Sequence, residues 1–220
     1  MFRLKQIFLA LTRGEKAVFF LALAFLAVSG IILAFLLFLA LTEPAPAQGG
    51  EYSEGVLGQP ALINPVLAAS EMDKSLVRLV FSNIEDIAEK TEPSEDQRIW
   101  KIRLKERIFW HDGGRITSDD VIFTVQKIQD PASASPLATI WQGVAAQRLS
   151  ELELQLSLVN PYAFFPEILK TLYILPKHIF EDIPASNWRL SEFNLRPIGS
   201  GPYKFLSFEK RPSGFVTIYR

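Results

Sequence analysis

Residues 99–124 read IWKIRLKERIFWHDGGRITSDDVIFT, a strand, a turn and the start of a helix in that order. Over Ile99–Lys105, Trp100, Ile102 and Leu104 fall to one side and Lys101, Arg103 and Lys105 to the other. That period of two is the mark of a half-buried strand. His111-Asp112-Gly113-Gly114 is a turn. Thr117-Ser118-Asp119-Asp120 supplies an N-cap with acidic residues in the positively polarised first turn of a helix. Val121, Val125 and Ile128 follow at helical spacing, and Asp130-Pro131 ends the run. Both periods within some thirty residues predict an α/β domain.

Further along, Glu151–Val159 alternates again, Leu152, Leu154, Leu156 and Leu158 against Glu151, Glu153, Gln155 and Ser157. Pro176 opens a short helix through Phe180. Tyr203–Glu209 and Phe215–Arg220 predict a hairpin around Arg211-Pro212-Ser213-Gly214, so the chain ends in mid-strand. On the other side, Leu76–Ile84 and Ile87–Lys90 read as partly helical, with Leu76, Leu79, Val80 and Ile84 on one face.

Nearer the N-terminus, residues 17–41 are AVFFLALAFLAVSGIILAFLLFLAL, 23 apolar residues of 25 with no charge. At about 1.5 Å per residue they reach roughly 37 Å, enough to cross a hydrocarbon core of about 30 Å. Arg3, Lys5, Arg13 and Lys16 precede the run against Glu15 alone. The positive-inside rule puts residues 1–16 in the cytoplasm and everything after Leu41 outside. Ala45-Pro46-Ala47 resembles a signal-peptidase site. Signal h-regions, however, run to only about 15 residues, which favours an uncleaved anchor. Residues 42–55 (TEPAPAQGGEYSEG) read as a spacer and 56–220 as one domain.

Composition removes several function classes. Without cysteine there is no disulfide scaffold, thiolate metal site or cysteine nucleophile. Residues 42–220 hold 19 basic and 23 acidic residues, a balance of −4 that argues against nucleic acid. His111 and His178 stand without a second ligand at metal spacing. Gly199-Ser200-Gly201, followed at once by Pro202, reads as a tight turn, not a nucleophile elbow. Asp119-Asp120 reads as capping, and Trp110 and Trp141 suit either ligand stacking or the core. No phosphate loop or dinucleotide fingerprint is present, and no enzyme, cofactor or metal is implied.

Four ordered segments resemble the family-5 extracellular solute-binding proteins, the dipeptide, oligopeptide and nickel receptors of ABC importers. Gly58–Asp73 (GQPALINPVLAASEMD) is similar to the family's opening strand and its L-x-N-P turn, here Leu62, Asn64 and Pro65. Within residues 99–124, Trp110, His111, Asp112, Gly113, Thr117, Asp119, Asp120, Val121, Phe123 and Thr124 match the family signature. Ile174–Ile179 (ILPKHI) and Pro197–Phe205 (PIGSGPYKF) complete the set.

The resemblance implies a type II periplasmic-binding-protein-like fold, here its first lobe only, with a mixed sheet and flanking helices after one transmembrane helix. It implies a receptor that captures peptides, or related small solutes, outside the membrane and delivers them to permease subunits of the transporter. A periplasmic or cell-surface location follows. The opening strand lines the cleft in the family, so Gln59 and Ala61 become candidate ligand-binding residues. Three features depart from the pattern: a transmembrane helix in place of a lipidated cysteine, a stretch missing or shortened between Asn83 and Ile84, and family chains well over twice this length. The last leaves open a half-length, membrane-anchored interaction module or gene remnant. A membrane-tethered hydrolase finds no nucleophile motif.

Overall fold

Arg13–Leu41 form one continuous helix, α1, and the Thr12 Oγ just before it accepts the Glu15 N–H at 3.4 Å. The Glu15 carboxylate accepts the Thr12 N–H and hydroxyl, each at 2.8 Å. The large apolar side chains from Val18 to Phe38 are exposed on every face. Arg13–Phe38 is long and apolar enough to cross a membrane. The computed structural model describes residues 12–41, 59–211 and 214–219. The spacer 42–55 and most of segment 1–16 lie outside them, as does the tip of the C-terminal hairpin at Pro212-Ser213. The described residues fall into two units, one holding α1 and the other everything from residue 59 onward.

The second unit opens with α2 (Glu71–Val80), the one-turn helix α3 (Ile84–Ile87), and strands β1 (Ala88–Pro93) and β2 (Ile99–Leu104). The helix α4 (Ser118–Gln129), the short helix α5 (Ala138–Trp141), β3 (Val144–Arg148) and β4 (Glu153–Leu158) follow. The chain then forms α6 (Phe165–Lys170), α7 (Lys177–Phe180), two 3-10 turns (Ala185–Leu190, Glu192–Asn194), and the hairpin β5 (Phe205–Arg211) and β6 (Gly214–Tyr219).

Strands β1-β2-β4-β3 form a four-stranded sheet in that order. Every pairing in it is antiparallel, where the resemblance implied a mixed sheet. The short connections between β1 and β2 and between β3 and β4 permit only antiparallel neighbours. Register places Trp100 opposite Leu156 and Ile102 opposite Leu154, so the apolar sides of the two expected strands share one face. All four side chains are buried there, and α4 covers β3 and β4 with Val121, Val125 and Ile128. The opposite face pairs Arg103 with Glu153 at 3.0 Å in solvent. Hence one sheet face is dry and the other wet.

Burying a side chain such as Ile102 or Leu154 contributes about 1.5–3 kcal/mol. Trp141 and Trp110 are core residues, which decides the alternative that their sequence left open. The Phe165 ring sits 5.6 Å from Trp100 and 6.0 Å from Trp141. A second aromatic group joins Trp188 to Phe123 and Phe180.

Two local expectations are corrected. Ala88–Lys90 is the start of β1, not helix. Its polar run, AEKTEP, carries no strand period of its own and takes its state from pairing with β2. The preceding helix also begins five residues before Leu76, because Ser70 Oγ accepts the Asp73 N–H at 3.1 Å and nucleates it there.

Candidate functional site

Residues 59–64 carry the candidates Gln59 and Ala61. The segment forms no ladder among the described residues, so the expected opening strand is absent there. Side-chain acceptors and a distant carbonyl hold it in its place. The Asp73 carboxylate, nearly buried in the first turn of α2, accepts the N–H groups of Ala61 at 2.9 Å and Leu62 at 3.1 Å through Oδ1. Its Oδ2 accepts the Ser70 hydroxyl at 2.7 Å. Ile63 donates its N–H to the Asn194 carbonyl at 3.1 Å.

Asn64 then closes the turn that its Asn-Pro pair predicts, its Oδ1 accepting the Val66 N–H at 2.9 Å. The outcome is a sharp inward step along the chain: Gln59 and Ala61 are exposed, Leu62 is half-buried and Ile63 fully buried.

The second cluster gathers the turn 111–114, the end of α2, α7 and the segment 196–205. Gly113 takes φ +94°, a backbone suited to glycine. His111 donates its N–H to the Gly199 carbonyl at 2.7 Å and places Nε2 2.9 Å from the Gly201 carbonyl. Lys204 Nζ donates to the His111 carbonyl at 2.7 Å. Gly201 and Tyr203 donate their N–H groups to the Val80 and Leu79 carbonyls. The Ser82 hydroxyl donates to the Ser200 carbonyl at 2.9 Å.

A Cβ on Gly199 would lie 1.9 Å from the Val80 oxygen, so this contact between two backbones requires glycine. Pro197–Phe205 is therefore a docking segment. The Ser200 hydroxyl accepts the Ser82 N–H at 3.3 Å and belongs to that packing. His111, Asp112, Arg196, Pro197, Ile198, Lys204 and Phe205 line a shallow cavity of about 200 Å³ beside it.

Two carboxylates respond oppositely to this frame. Partial burial disfavours the Asp112 anion. The His178 hydrogen bond at 2.8 Å, the Gly114 N–H at 3.0 Å and the His178 charge outweigh that, and its pKa is held below the ordinary value. Asp120 is more deeply buried, and desolvation pushes its pKa up despite hydrogen bonds from the Thr117 and Lys177 N–H groups.

Sequence reading left His111 and His178 as separate single residues. It missed the His178–Asp112 pair, which joins positions 66 apart, and it missed Asp73, for which the Ser70-x-x-Asp73 pattern was the available signal. Among the described residues, no three His, Asp or Glu side chains are grouped to hold a metal ion. What the arrangement offers is a backbone fixed at Ala61–Ile63 with Gln59 and Ala61 exposed beside it.

Comparison with known proteins gives a consistent result. The family model described as "Bacterial extracellular solute-binding proteins, family 5 Middle" matches residues 83–214. The oligopeptide-binding protein AppA of Bacillus subtilis is 26% identical over 186 residues, covering 75% of this chain and 33% of AppA. The crystal structure of NikZ from Campylobacter jejuni in complex with Ni(L-His) superposes with a TM-score of 0.62 at 31% identity, covering 70% of this chain and 32% of NikZ. The structure of Bacillus subtilis AppA in complex with a nonapeptide shares the fold with a TM-score of 0.66 at 21% identity, over 74% of this chain and 38% of that one. The chain spans about a third of the length of the relatives that it matches.

Proposed function

Because the chain belongs to the bacterial extracellular solute-binding proteins of family 5, we propose that it forms part of the receptor of an ABC importer. The receptor takes up short peptides outside the membrane and hands them to permease subunits. The match over residues 83–214, laid on a fold shared with nonapeptide-bound AppA, carries this reading. Nickel–histidine, the ligand in the NikZ structure, is the competing solute.

In this proposal residues 1–16 are cytoplasmic, 17–41 cross the membrane as an uncleaved anchor, 42–55 are a spacer and 56–220 are the extracytoplasmic domain. The exposed, apolar α1 and the four basic residues ahead of residue 17 support that arrangement. Gln59 and Ala61 face the peptide, a role that their exposure on a firmly held segment allows. The protein acts by binding alone, as its relatives' names describe binding proteins.

Uptake of labelled di- and tripeptides by a strain lacking the gene tests the function. Return of the full chain restores peptide uptake. Restored uptake of nickel–histidine alone would replace peptides as the solute, and no effect on either would favour an interaction module.

A further inference from the structure

We infer that Asp73 is a positioning residue for the ligand-facing segment, setting the backbone of residues 59–62 from the first turn of α2. The inference rests on the reading of Gln59 and Ala61 as ligand-facing and adds the group that holds Ala61 and its neighbour Leu62. Asp73 is only 4% exposed. Three donors converge on its carboxylate: the Ala61 N–H at 2.9 Å, the Leu62 N–H at 3.1 Å and the Ser70 hydroxyl at 2.7 Å. An anion in the first turn of a helix also meets the positive end of the helix dipole.

Charge-assisted bonds to two consecutive amides fix both peptide planes, which a single contact would leave free to swing. Both N–H groups are directed to Asp73, while Gln59 and Ala61 are the exposed residues of this segment and Pro60 and Leu62 are half-buried. Ile63, anchored on Asn194, holds the other end of the step. Loss of the carboxylate therefore releases residues 59–62 without touching the sheet. Asparagine keeps an oxygen for both amides and an NH2 for the Ser70 oxygen, so it preserves part of the hold.

The test uses the full chain in detergent and compares wild type, D73A, D73N and A61W. Amide exchange comes first. D73A is expected to speed exchange at Ala61 and Leu62 at least about tenfold while the amides of β2 and β4 keep their protection, and D73N, which keeps the acceptor but not the charge, is expected to fall between D73A and wild type. Should D73A fail to fold, D73Q displaces the acceptor by one methylene and is expected to give the same local exchange. Unchanged exchange at 61 and 62 in the folded variant would overturn the inference.

Trialanine binding is the second readout, with D73A weakened by at least about tenfold and D73N restoring part of the affinity. If A61W abolishes binding and D73A binds as wild type, Asp73 does not position the site. If A61W binds as wild type, the ligand-facing reading falls, while the exchange result still decides whether Asp73 holds the segment.

Discussion

Replacing Gly199 by alanine places a methyl group where the structure has none to spare. Its Cβ would meet the Val80 carbonyl oxygen at 1.9 Å and the Val80 carbonyl carbon at 2.7 Å. Both are backbone atoms at the end of α2 and cannot rotate away, so the segment 197–203 must retreat by about an ångström. Such a shift breaks or stretches at least three of the hydrogen bonds across this contact, foremost Gly201 N–H to Val80 O, Ser82 Oγ to Ser200 O, and His111 N–H to Gly199 O.

At about 0.5–1.5 kcal/mol each, the expected loss is about 2–4 kcal/mol. In a domain of this size that lowers the melting temperature by roughly 5–15 °C. All four tryptophans, Trp100, Trp110, Trp141 and Trp188, lie buried in the second unit, so their fluorescence follows its unfolding without a signal from α1. Gly113→Ala is the control, with φ +94° but no atom within 4 Å of its Cβ, and backbone strain alone predicts about 1–2 kcal/mol. A G199A loss below about 0.5 kcal/mol, or below that of G113A, would refute the account of this contact.

Core truncations at Ile102 or Leu154, each fully buried and facing each other across β2 and β4, are expected to cost about 2–5 kcal/mol in urea unfolding. The double variant should depart from additivity because the two side chains share one space. The two carboxylates predict opposite responses to pH. Asp112, lowered in the folded state, contributes stability above its unfolded pKa that is lost as pH falls through the folded one. The wild-type advantage over D112N, below about 1 kcal/mol for so exposed a pair, should therefore begin to shrink below about pH 4 and be gone once pH falls below the folded pKa. Asp120, raised, binds its proton more tightly when folded, so its contribution is present below the unfolded pKa and lost as pH rises through the folded one. Stability measured from about pH 4 upward should show that loss in wild type and not in D120N. Carbonate washing of membranes should leave the full chain in the pellet, whereas removal of residues 17–41 should release it.

Much of the fold is legible where side chains repeat along one element. The alternations at Trp100-Ile102-Leu104 and Leu154-Leu156 and the helical spacing of Val121, Val125 and Ile128 each return as buried faces. β1 was not legible, since its strand state belongs to its neighbour. Nor was the pairing of Asp112 with His178, or of Gly199 with Val80, because nothing local records which distant backbone will arrive. The turn chemistry of His111–Gly114 and Asn64-Pro65 was readable, but its purpose was not. Those turns serve as docking points for the segments that bound the candidate site. Gln59 and Ala61 came from the family resemblance alone. The structure adds to them a buried acceptor, Asp73, that residue spacing did not bring to notice.

The central claim is solute capture, and direct titration tests it most closely. Isothermal calorimetry of the full chain in detergent, with trialanine and a nonapeptide injected separately, should give saturable heat with a 1:1 end point for at least one peptide. Absence of heat from either, in a sample whose tryptophan fluorescence shows a cooperative unfolding transition, would contradict peptide binding by this chain.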